Sequence, residues 1–216
     1  MSNAILIFVK YPEPGRVKTR LAATLGPVEA TAIYRALVAE VCGRLPASDS
    51  LVVLFDPSER EMEVREWIGE YLPPERTVQF WPQGEGDLGA RLTRAFESAF
   101  THGFHKVAVI GSDCVEMDAA IFSEAWEALE TLEGAIGPTE DGGYYLMALR
   151  HPAPLLFSGI EWSTEAVFQQ TLQRAAEAGM HFHQLPRLRD VDTEEDWRQL
   201  RSRITEASPK FSMPER

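Results

Sequence analysis

Short apolar runs alternate along the chain with segments in which apolar residues recur every three or four positions. Solid runs such as AILIFV and LVVLF are typical of strands that helices cover on both faces. We predict strands at residues 4–9, 51–55, 77–81, 107–110, 134–138, 144–149 and 181–185. We predict helices at residues 27–45, 58–71, 87–102, 117–132, 163–179 and 193–204. This order predicts an α/β fold, a three-layer sandwich with a mainly parallel central sheet.

The chain has 216 residues, which predicts a single domain over residues 1–206 and a flexible tail at residues 207–216. The formal net charge of −12 argues against nucleic acid or a membrane surface as a partner, because both require a basic face. Two widely separated cysteines and no apolar segment of transmembrane length favour a protein of the reducing cytoplasm. A small phosphorylated ligand remains compatible with this composition, because it needs only a local basic cluster.

Such a basic cluster follows the first predicted strand, where four basic residues fall within eleven positions: Lys10, Arg16, Lys18 and Arg20. Gly15 lets the backbone of this loop approach a ligand closely. We therefore predict a phosphate-binding loop, with a solvated turn as the alternative. It is not a P-loop, because Val17 stands where that motif requires glycine before the lysine.

Carboxylates follow later predicted strands. Asp113 ends a buried strand, where it could hold Mg²⁺ together with substrate phosphates or simply cap the next helix. Asp190 and Asp192 share one side of an extended segment, so either could be a second metal ligand. The alternative for this segment is helix capping by Asp192 or Thr193, with Asp196 as the reciprocal partner.

Two glycine-containing segments are further candidates. Asp141 precedes Gly142 and Gly143 in a segment that could bind substrate hydroxyls or form only a hairpin turn. The segment from Gln83 through Gly86 to Asp87 could contact a flat base or be a flexible connection. A metal pair at His181 and His183 is disfavoured, because no third ligand is evident.

Taken in order, these segments resemble one bacterial family, the radical-SAM/selenodomain-associated transferases. The matching stretches are FVKYPEPGRVKTRL at 8–21, GDLG at 86–89, GSDC at 111–114, GPTEDGGYYL at 137–146 and DVDT at 190–193. The chain is similar, more distantly, to nucleotidyltransferases that guanylylate phospholactate or molybdopterin. The resemblance implies a glycosyltransferase-A (nucleotide-diphospho-sugar transferase) fold. It also implies that the loop after strand one holds phosphates, the loop after strand three holds the base, and Asp113 with Asp192 or Asp190 holds the metal.

We accordingly expect a transferase that uses Mg²⁺ or Mn²⁺ and a nucleotide-sugar or nucleoside triphosphate, with glycosyl transfer to a small-molecule acceptor as the first interpretation. A guanylyltransferase-like nucleotidyltransferase and a non-catalytic nucleotide-binding module are the alternatives. The predicted catalytic residues are Lys18, Asp113 and Asp141. The predicted nucleotide-binding residues are Lys10, Gly15, Arg16, Lys18, Arg20, Gln83, Gly86 and Asp87.

Overall fold

A computed structural model describes residues 2–207 of the chain, with side chains described as far as Arg201. Within these residues, seven strands form one sheet: β1 (Asn3–Lys10), β2 (Ser50–Asp56), β3 (Val78–Pro82), β4 (Lys106–Ile110), β5 (Gly134–Pro138), β6 (Tyr144–Leu149) and β7 (Phe182–Gln184). Their order across the sheet is β3-β2-β1-β4-β6-β5-β7. Only β6 runs antiparallel to its neighbours, β4 and β5, and the other pairings are parallel.

Helices cover both faces of this sheet: α1 (Thr19–Leu25), α2 (Pro27–Arg44), α3 (Glu61–Gly69), α4 (Leu88–Thr101), α5 (Ala119–Ala128), α6 (Val167–Glu177) and α7 (Glu194–Ala207). Successive β1 side chains enter opposite cores. Ile5 and Ile7 pack in the core under α2, α3 and α5, and Leu6 packs in the core under α4 and α6. The predicted three-layer α/β architecture is therefore confirmed, and it matches solved structures that are compared with the chain below.

The winding of the chain locates the crevice in which a ligand can bind. From β1 the chain proceeds outward to β2 and β3, then returns to place β4 on the other side of β1. Ile7 of β1 consequently pairs with Val53 of β2 on one side and with Ile110 of β4 on the other. The strand order reverses at this boundary, and in open α/β sheets ligands bind outside the carboxyl ends of the strands at such a point.

Several predicted boundaries differ from the structure. The helix expected at residues 163–179 begins only at Val167, and Ser163 is not its N-cap, because Ser163 has a left-handed backbone with φ of 65°. The helix expected at residues 117–132 spans Ala119–Ala128, and the Asp118 carboxylate caps it. Helix α1 was not predicted. The expected tail at residues 207–216 lies outside the described residues, except that Ala207 ends α7.

Among the described residues, no helix combines the length and the apolar character needed to cross a membrane.

Candidate functional site

A cleft of about 900 Å³ opens at the carboxyl ends of the central strands. Its walls come from the loop after β1, the loop after β3, the loop after β4, the β5–β6 hairpin, the segment at residues 162–165 and the segment before α7. These loops include most of the residues predicted as functional. Residues that the sequence predicted in separate loops therefore lie around one cavity, at the point where the strand order of the sheet reverses.

Lys18 lies at the centre of the cleft between two carboxylates. Its Nζ atom is 2.8 Å from Asp113 Oδ2 and 3.0 Å from Asp192 Oδ1, and it also donates to the Val191 carbonyl oxygen at 2.5 Å. The lysine side chain is only 4% exposed, whereas those of Asp113 and Asp192 are 36% and 37% exposed. Burial disfavours the charged ammonium, but the two carboxylates outweigh burial and raise the pKa of Lys18.

Local backbone geometry directs this lysine into the site. Lys18 has a left-handed conformation with φ of 47° and stands immediately before α1. Val17, the preceding residue, is buried in the core and anchors the loop. A non-glycine residue in this region is held there by its surroundings, because the conformation itself is unfavourable.

Asp113 faces the cleft and does not cap a helix. The next helix, α5, takes its cap from Asp118, whose carboxylate accepts from the backbone N–H groups of Ala120 and Ile121. The other oxygen of Asp113 accepts a hydrogen bond from Ser112 Oγ at 3.2 Å. This observation favours the ligand-binding interpretation of Asp113 over the capping one.

Tyr34 of α2 connects the loops after β1 and β4. Its hydroxyl accepts from the Lys10 backbone N–H at 2.9 Å and forms a hydrogen bond with Ser112. Burial, followed by the nearby Asp113 charge, raises the pKa of Tyr34, so its hydroxyl keeps its proton. The sequence analysis did not single out Tyr34, because its contacts arise only when α2 packs beneath the two loops.

The segment before α7 forms the reciprocal cap that the sequence allowed as an alternative. Thr193 and Asp196 form the reciprocal cap, with the Asp196 carboxylate accepting from Thr193 N at 2.8 Å and from Thr193 Oγ1 at 2.6 Å. Because Thr193 takes the capping role, the Asp192 carboxylate is left to face Lys18 and Arg20. Asp190 also lines the cleft, and its pKa is raised to about 6, first by burial and then by the charge of Asp141.

The remaining cations of the loop after β1 are open to solvent. Arg16 and Arg20 have side chains that are 76% and 66% exposed, and Lys10 is also exposed. Arg20 reaches Asp192 Oδ2 at 3.2 Å, and Arg16 reaches Glu13 at 3.4 Å. Gly15 has φ of 84° and open space on its side-chain side. This part of the loop can therefore move onto a ligand without disturbing the core.

The loop after β3 is more tightly held than its glycines suggest. The Gln83 side-chain amide donates to the carbonyl oxygens of Val9 and Leu54 and accepts from Arg91. Arg94 donates to the backbone oxygens of Gln83 and Glu85, which excludes a freely flexible connection. Gln83 and Arg91 line the cleft, and the sequence analysis missed Arg91, although it lies one helical turn after Asp87.

Gly86 also lines the cleft, whereas the Asp87 carboxylate caps α4 by accepting from Ala90 N at 2.9 Å.

The β5–β6 hairpin forms the opposite wall of the cleft. Asp141 Oδ1 accepts from Thr139 Oγ1 at 2.5 Å and from Gly143 N at 3.0 Å, which fixes the turn. Asp141 itself lines the cleft. The hairpin interpretation is therefore confirmed, and contact of Asp141 with a substrate stays a prediction.

Residues 162–165 pack against this hairpin and complete the wall. The Gly142 carbonyl oxygen accepts from Phe168 N at 2.9 Å, and the backbone of Glu165 lies directly against Gly142. Trp162 and Ser163 line the cleft and were not predicted as site residues. The sequence placed Ser163 at the start of a helix.

The histidines that the sequence analysis weighed lie elsewhere. His181 and His183 face Glu133 and Glu124 respectively and do not line the cleft. In the part of the chain that the structure describes, no group of three or more His, Cys, Asp or Glu side chains is arranged to hold a metal ion.

Comparisons with known proteins point to transferases. A bacterial family model described as "Uncharacterized protein conserved in bacteria (DUF2064)" matches residues 40–164. A 2-phospho-L-lactate guanylyltransferase of Methanothermobacter thermautotrophicus is 26% identical over 163 residues, which covers 76% of this chain and 67% of that enzyme.

Solved structures extend the similarity to almost the whole chain. A Desulfovibrio desulfuricans G20 protein, provisionally named a nucleotide-diphospho-sugar transferase, is 34% identical and has a TM-score of 0.85, covering 96% of this chain and 90% of that one. A Mycobacterium tuberculosis H37Rv protein solved in complex with manganese shares the fold at 13% identity and a TM-score of 0.51, covering 93% of this chain and 98% of that one.

Proposed function

The chain belongs to the DUF2064 family of bacterial proteins, and from that premise we propose that it is a metal-dependent glycosyltransferase that uses a nucleotide-sugar donor and a small-molecule acceptor. One observation carries the proposal. Two carboxylates from separate loops, Asp113 and Asp192, converge on a single cationic atom at the switch point of the sheet. Exposed basic residues lie beside them, as a site for a metal-bound diphosphate requires.

The donor's phosphates would be bound by the exposed cations of the loop after β1. Arg16 and Arg20 offer planar guanidinium groups that suit phosphate oxygens, and Lys10 adds a point charge. Gly15 leaves room for close backbone approach. The base would lie against the loop after β3, where Gly86 and Arg91 line the cleft.

Asp113 and Asp192 are the residues that would hold Mg²⁺ or Mn²⁺. The donor set fits, because Asp113 Oδ2 and Asp192 Oδ1 both face one cationic point within 3.0 Å. We assign the second place to Asp192 rather than Asp190 for this reason. Magnesium is usually bound by one or two carboxylates and completed by substrate phosphate oxygens, so two protein ligands are sufficient. When bound, the metal supplies neutralisation of the charge on the departing nucleoside diphosphate.

The acidic wall of the cleft favours a neutral sugar over an anionic group. Asp141, Glu165 and Asp190 line this side, and carboxylate oxygens are good acceptors for sugar hydroxyls. Asp141 would thus orient the sugar or the acceptor, and catalysis would rest on positioning and charge stabilisation. An acceptor such as phospholactate would meet like charges on this wall, which supports glycosyl transfer over the alternative reaction.

Thermal unfolding with a panel of nucleotide-sugars and nucleoside triphosphates, with and without Mg²⁺ or Mn²⁺, tests the proposal. A ligand at about a hundred times its Kd should stabilise the fold by about 2.7 kcal/mol. Asp113→Asn should abolish the metal-dependent part of the shift. Asp49→Asn is the matched control, because the Asp49 carboxylate accepts from Trp126 Nε1 and lies outside the cleft. Metal-independent stabilisation would favour a non-catalytic binding module instead.

Nucleotidyl transfer is the second candidate, and the similarity to a guanylyltransferase favours it. The two reactions break different bonds. Glycosyl transfer cleaves the bond between the anomeric carbon and the phosphate oxygen and releases a nucleoside diphosphate. Nucleotidyl transfer cleaves the α–β phosphate linkage of a triphosphate and releases pyrophosphate. Identification of the released product distinguishes the two.

The state of the cysteines bears on the cellular setting. Both cysteines, Cys42 and Cys114, are buried free thiols, which supports the proposed location in a reducing cytoplasm. A single domain over residues 1–206 and membership of the radical-SAM/selenodomain-associated transferase family stay predictions from the sequence.

A further inference from the structure

The ammonium group of Lys18 is fully engaged within the protein. A lysine ammonium has three N–H donors, and here the three acceptors are Asp113 Oδ2, Asp192 Oδ1 and the Val191 carbonyl oxygen. The ammonium therefore has no donor left for a phosphate while these contacts persist. This distinguishes Lys18 from Arg16 and Arg20, whose side chains are mostly exposed.

The same contacts change the charge that the carboxylate pair presents to a cation. Asp113 and Asp192 together carry two negative charges, and the ammonium cancels one of them within 3.0 Å. Solvent screens this positive charge little, because the lysine side chain is 4% exposed. Arg20 also contacts Asp192, but its side chain is 66% exposed and its effect is correspondingly screened.

We propose that Lys18 is the internal counter-ion of the Asp113–Asp192 pair and makes the binding of a divalent cation depend on the donor's phosphates. The inference rests on the proposed function, because it takes these carboxylates as the metal ligands. Without phosphates, Lys18 competes with a divalent cation for the same two side chains. Phosphates supply the missing negative charge and give the ammonium alternative acceptors, so donor and metal bind cooperatively. Lys18 is thus a positioning residue that sets the order of events in the site.

Binding of Mn²⁺ alone, followed by electron paramagnetic resonance, tests this without any activity measurement. Lys18→Gln removes the charge but keeps N–H donors for the carboxylates, and it should tighten Mn²⁺ binding about tenfold, within the usual range of coupling between sites. Lys18→Arg keeps the charge and should bind Mn²⁺ as weakly as the wild-type chain. Arg20→Gln is the matched control, and its effect should be smaller than that of Lys18→Gln because Arg20 is exposed.

Equal or weaker Mn²⁺ binding by a folded Lys18→Gln variant would overturn the proposal. Tighter Mn²⁺ binding that persists when Asp113→Asn is added to Lys18→Gln would also overturn it, because the ion would then be bound away from Asp113. If Lys18→Gln does not fold, Mn²⁺ titration of the wild-type chain with and without nucleotide tests the proposal instead. Mn²⁺ binding that is as tight without uridine diphosphate or guanosine diphosphate as with them overturns the proposal, and enhancement by either nucleotide supports it.

The outcome separates this proposal from the proposed function. A Lys18→Gln variant that gains an Asp113-dependent Mn²⁺ site, in a protein that binds no nucleotide of the panel, supports the counter-ion role of Lys18 alone and contradicts both the transferase and the dependence of metal binding on phosphates. A wild-type chain that binds nucleotide together with metal supports the transferase. If Lys18→Gln then binds Mn²⁺ alone with unchanged affinity, the counter-ion role of Lys18 is contradicted.

Discussion

At the scale of the residue, Gly142 shows how little space separates the hairpin from residues 162–165. Its φ is 89°, and an added Cβ would lie 2.2 Å from the Glu165 carbonyl oxygen. We expect Gly142→Ala to displace this wall of the cleft, to weaken donor binding and to cost more than the roughly 1 kcal/mol of left-handed backbone strain. Gly179→Ala is the matched control, because Gly179 has φ of 68° and open space around it.

Urea unfolding and donor titration of these two glycine variants provide the check. Gly179→Ala should lose about 1 kcal/mol and bind donor normally. Equal stability loss in both variants, with normal donor binding by Gly142→Ala, would show that the hairpin can move away from Glu165 at little cost.

Tyr34 gives a second prediction at this scale. Tyr34→Phe removes the acceptor of the Lys10 N–H and the hydrogen bond with Ser112, and should cost about 2 kcal/mol, since two hydrogen-bonding groups lose a partner. Tyr71→Phe removes one hydrogen bond, from Trp67 Nε1, outside the cleft and should cost about 1 kcal/mol. Both variants should lose stability in urea unfolding, but only Tyr34→Phe should weaken metal-dependent donor binding. Unchanged binding by Tyr34→Phe would mean that the loops after β1 and β4 hold their geometry without it.

A site residue could be predicted when the sequence pattern that indicates it lies close to it in the chain. The basic cluster and Asp113 follow apolar runs directly, so the sequence indicates them without knowledge of the fold. The contact between Lys18 and Asp192 spans 174 positions, and no local pattern indicates that the lysine ammonium would be enclosed by carboxylates. The same limit explains why Tyr34 was missed.

At the scale of the element, α4 offers a test of what Asp87 does. The Asp87 carboxylate caps this helix, and its residue does not line the cleft. Asp87→Ala should cost about 1 kcal/mol, whereas Asp87→Ser retains a capping oxygen and should be nearly neutral. We expect Asp87→Ser to bind the donor like the wild-type chain in a titration. Donor binding that weakens in Asp87→Ser without a loss of stability would assign Asp87 to the ligand, as the sequence first suggested.

Elements with a clear local hydrophobic pattern were predicted well, and those whose conformation depends on tertiary contacts were not. The buried strands β1 and β2 are continuous apolar runs, so the local sequence is enough to locate them. Helix α1 has only seven residues and follows a loop rich in proline and charge, so its pattern is too short to detect. The segment at 163–166 has helical periodicity, but it forms turns that pack against Gly142, and the helix starts only after them.

At the scale of the whole molecule, the reversal of strand order determines where chemistry can occur. Residues from both ends of the chain meet there, because β1 and the segment before α7 approach the same crevice. The chain has a net charge of −12, and the cations of the loop after β1 form a local basic group at one side of the cleft. The sequence predicted this arrangement in outline, because alternating strands and helices imply a parallel sheet, but strand order itself required the structure.

The stability of the whole fold should depend on pH through Cys42, which lies in the core beneath the sheet. Burial raises the pKa of its thiol to about 12, and the charge of Arg76 opposes this only in part. In the unfolded chain the thiol titrates near pH 8.5. Between these values the folded state keeps a proton that the unfolded state loses. The free energy of unfolding should therefore fall by about 1.4 kcal/mol per pH unit for this thiol, and the stabilisation is complete below the unfolded pKa.

Cys42→Ala isolates this contribution. The variant loses packing at neutral pH, but its free energy of unfolding should decline less steeply than that of the wild-type chain, by about 1.4 kcal/mol per pH unit between about pH 9.5 and 11.5. Tyr34, Tyr144, Tyr145 and Cys114 also have raised pKa values but are present in both proteins, so the difference in slope arises from the Cys42 thiol and from its charge acting on Tyr34. Urea unfolding at a series of pH values measures both slopes. Parallel slopes would mean that the thiol reaches water in the folded state, and the core around α2 would then open more readily than its packing suggests.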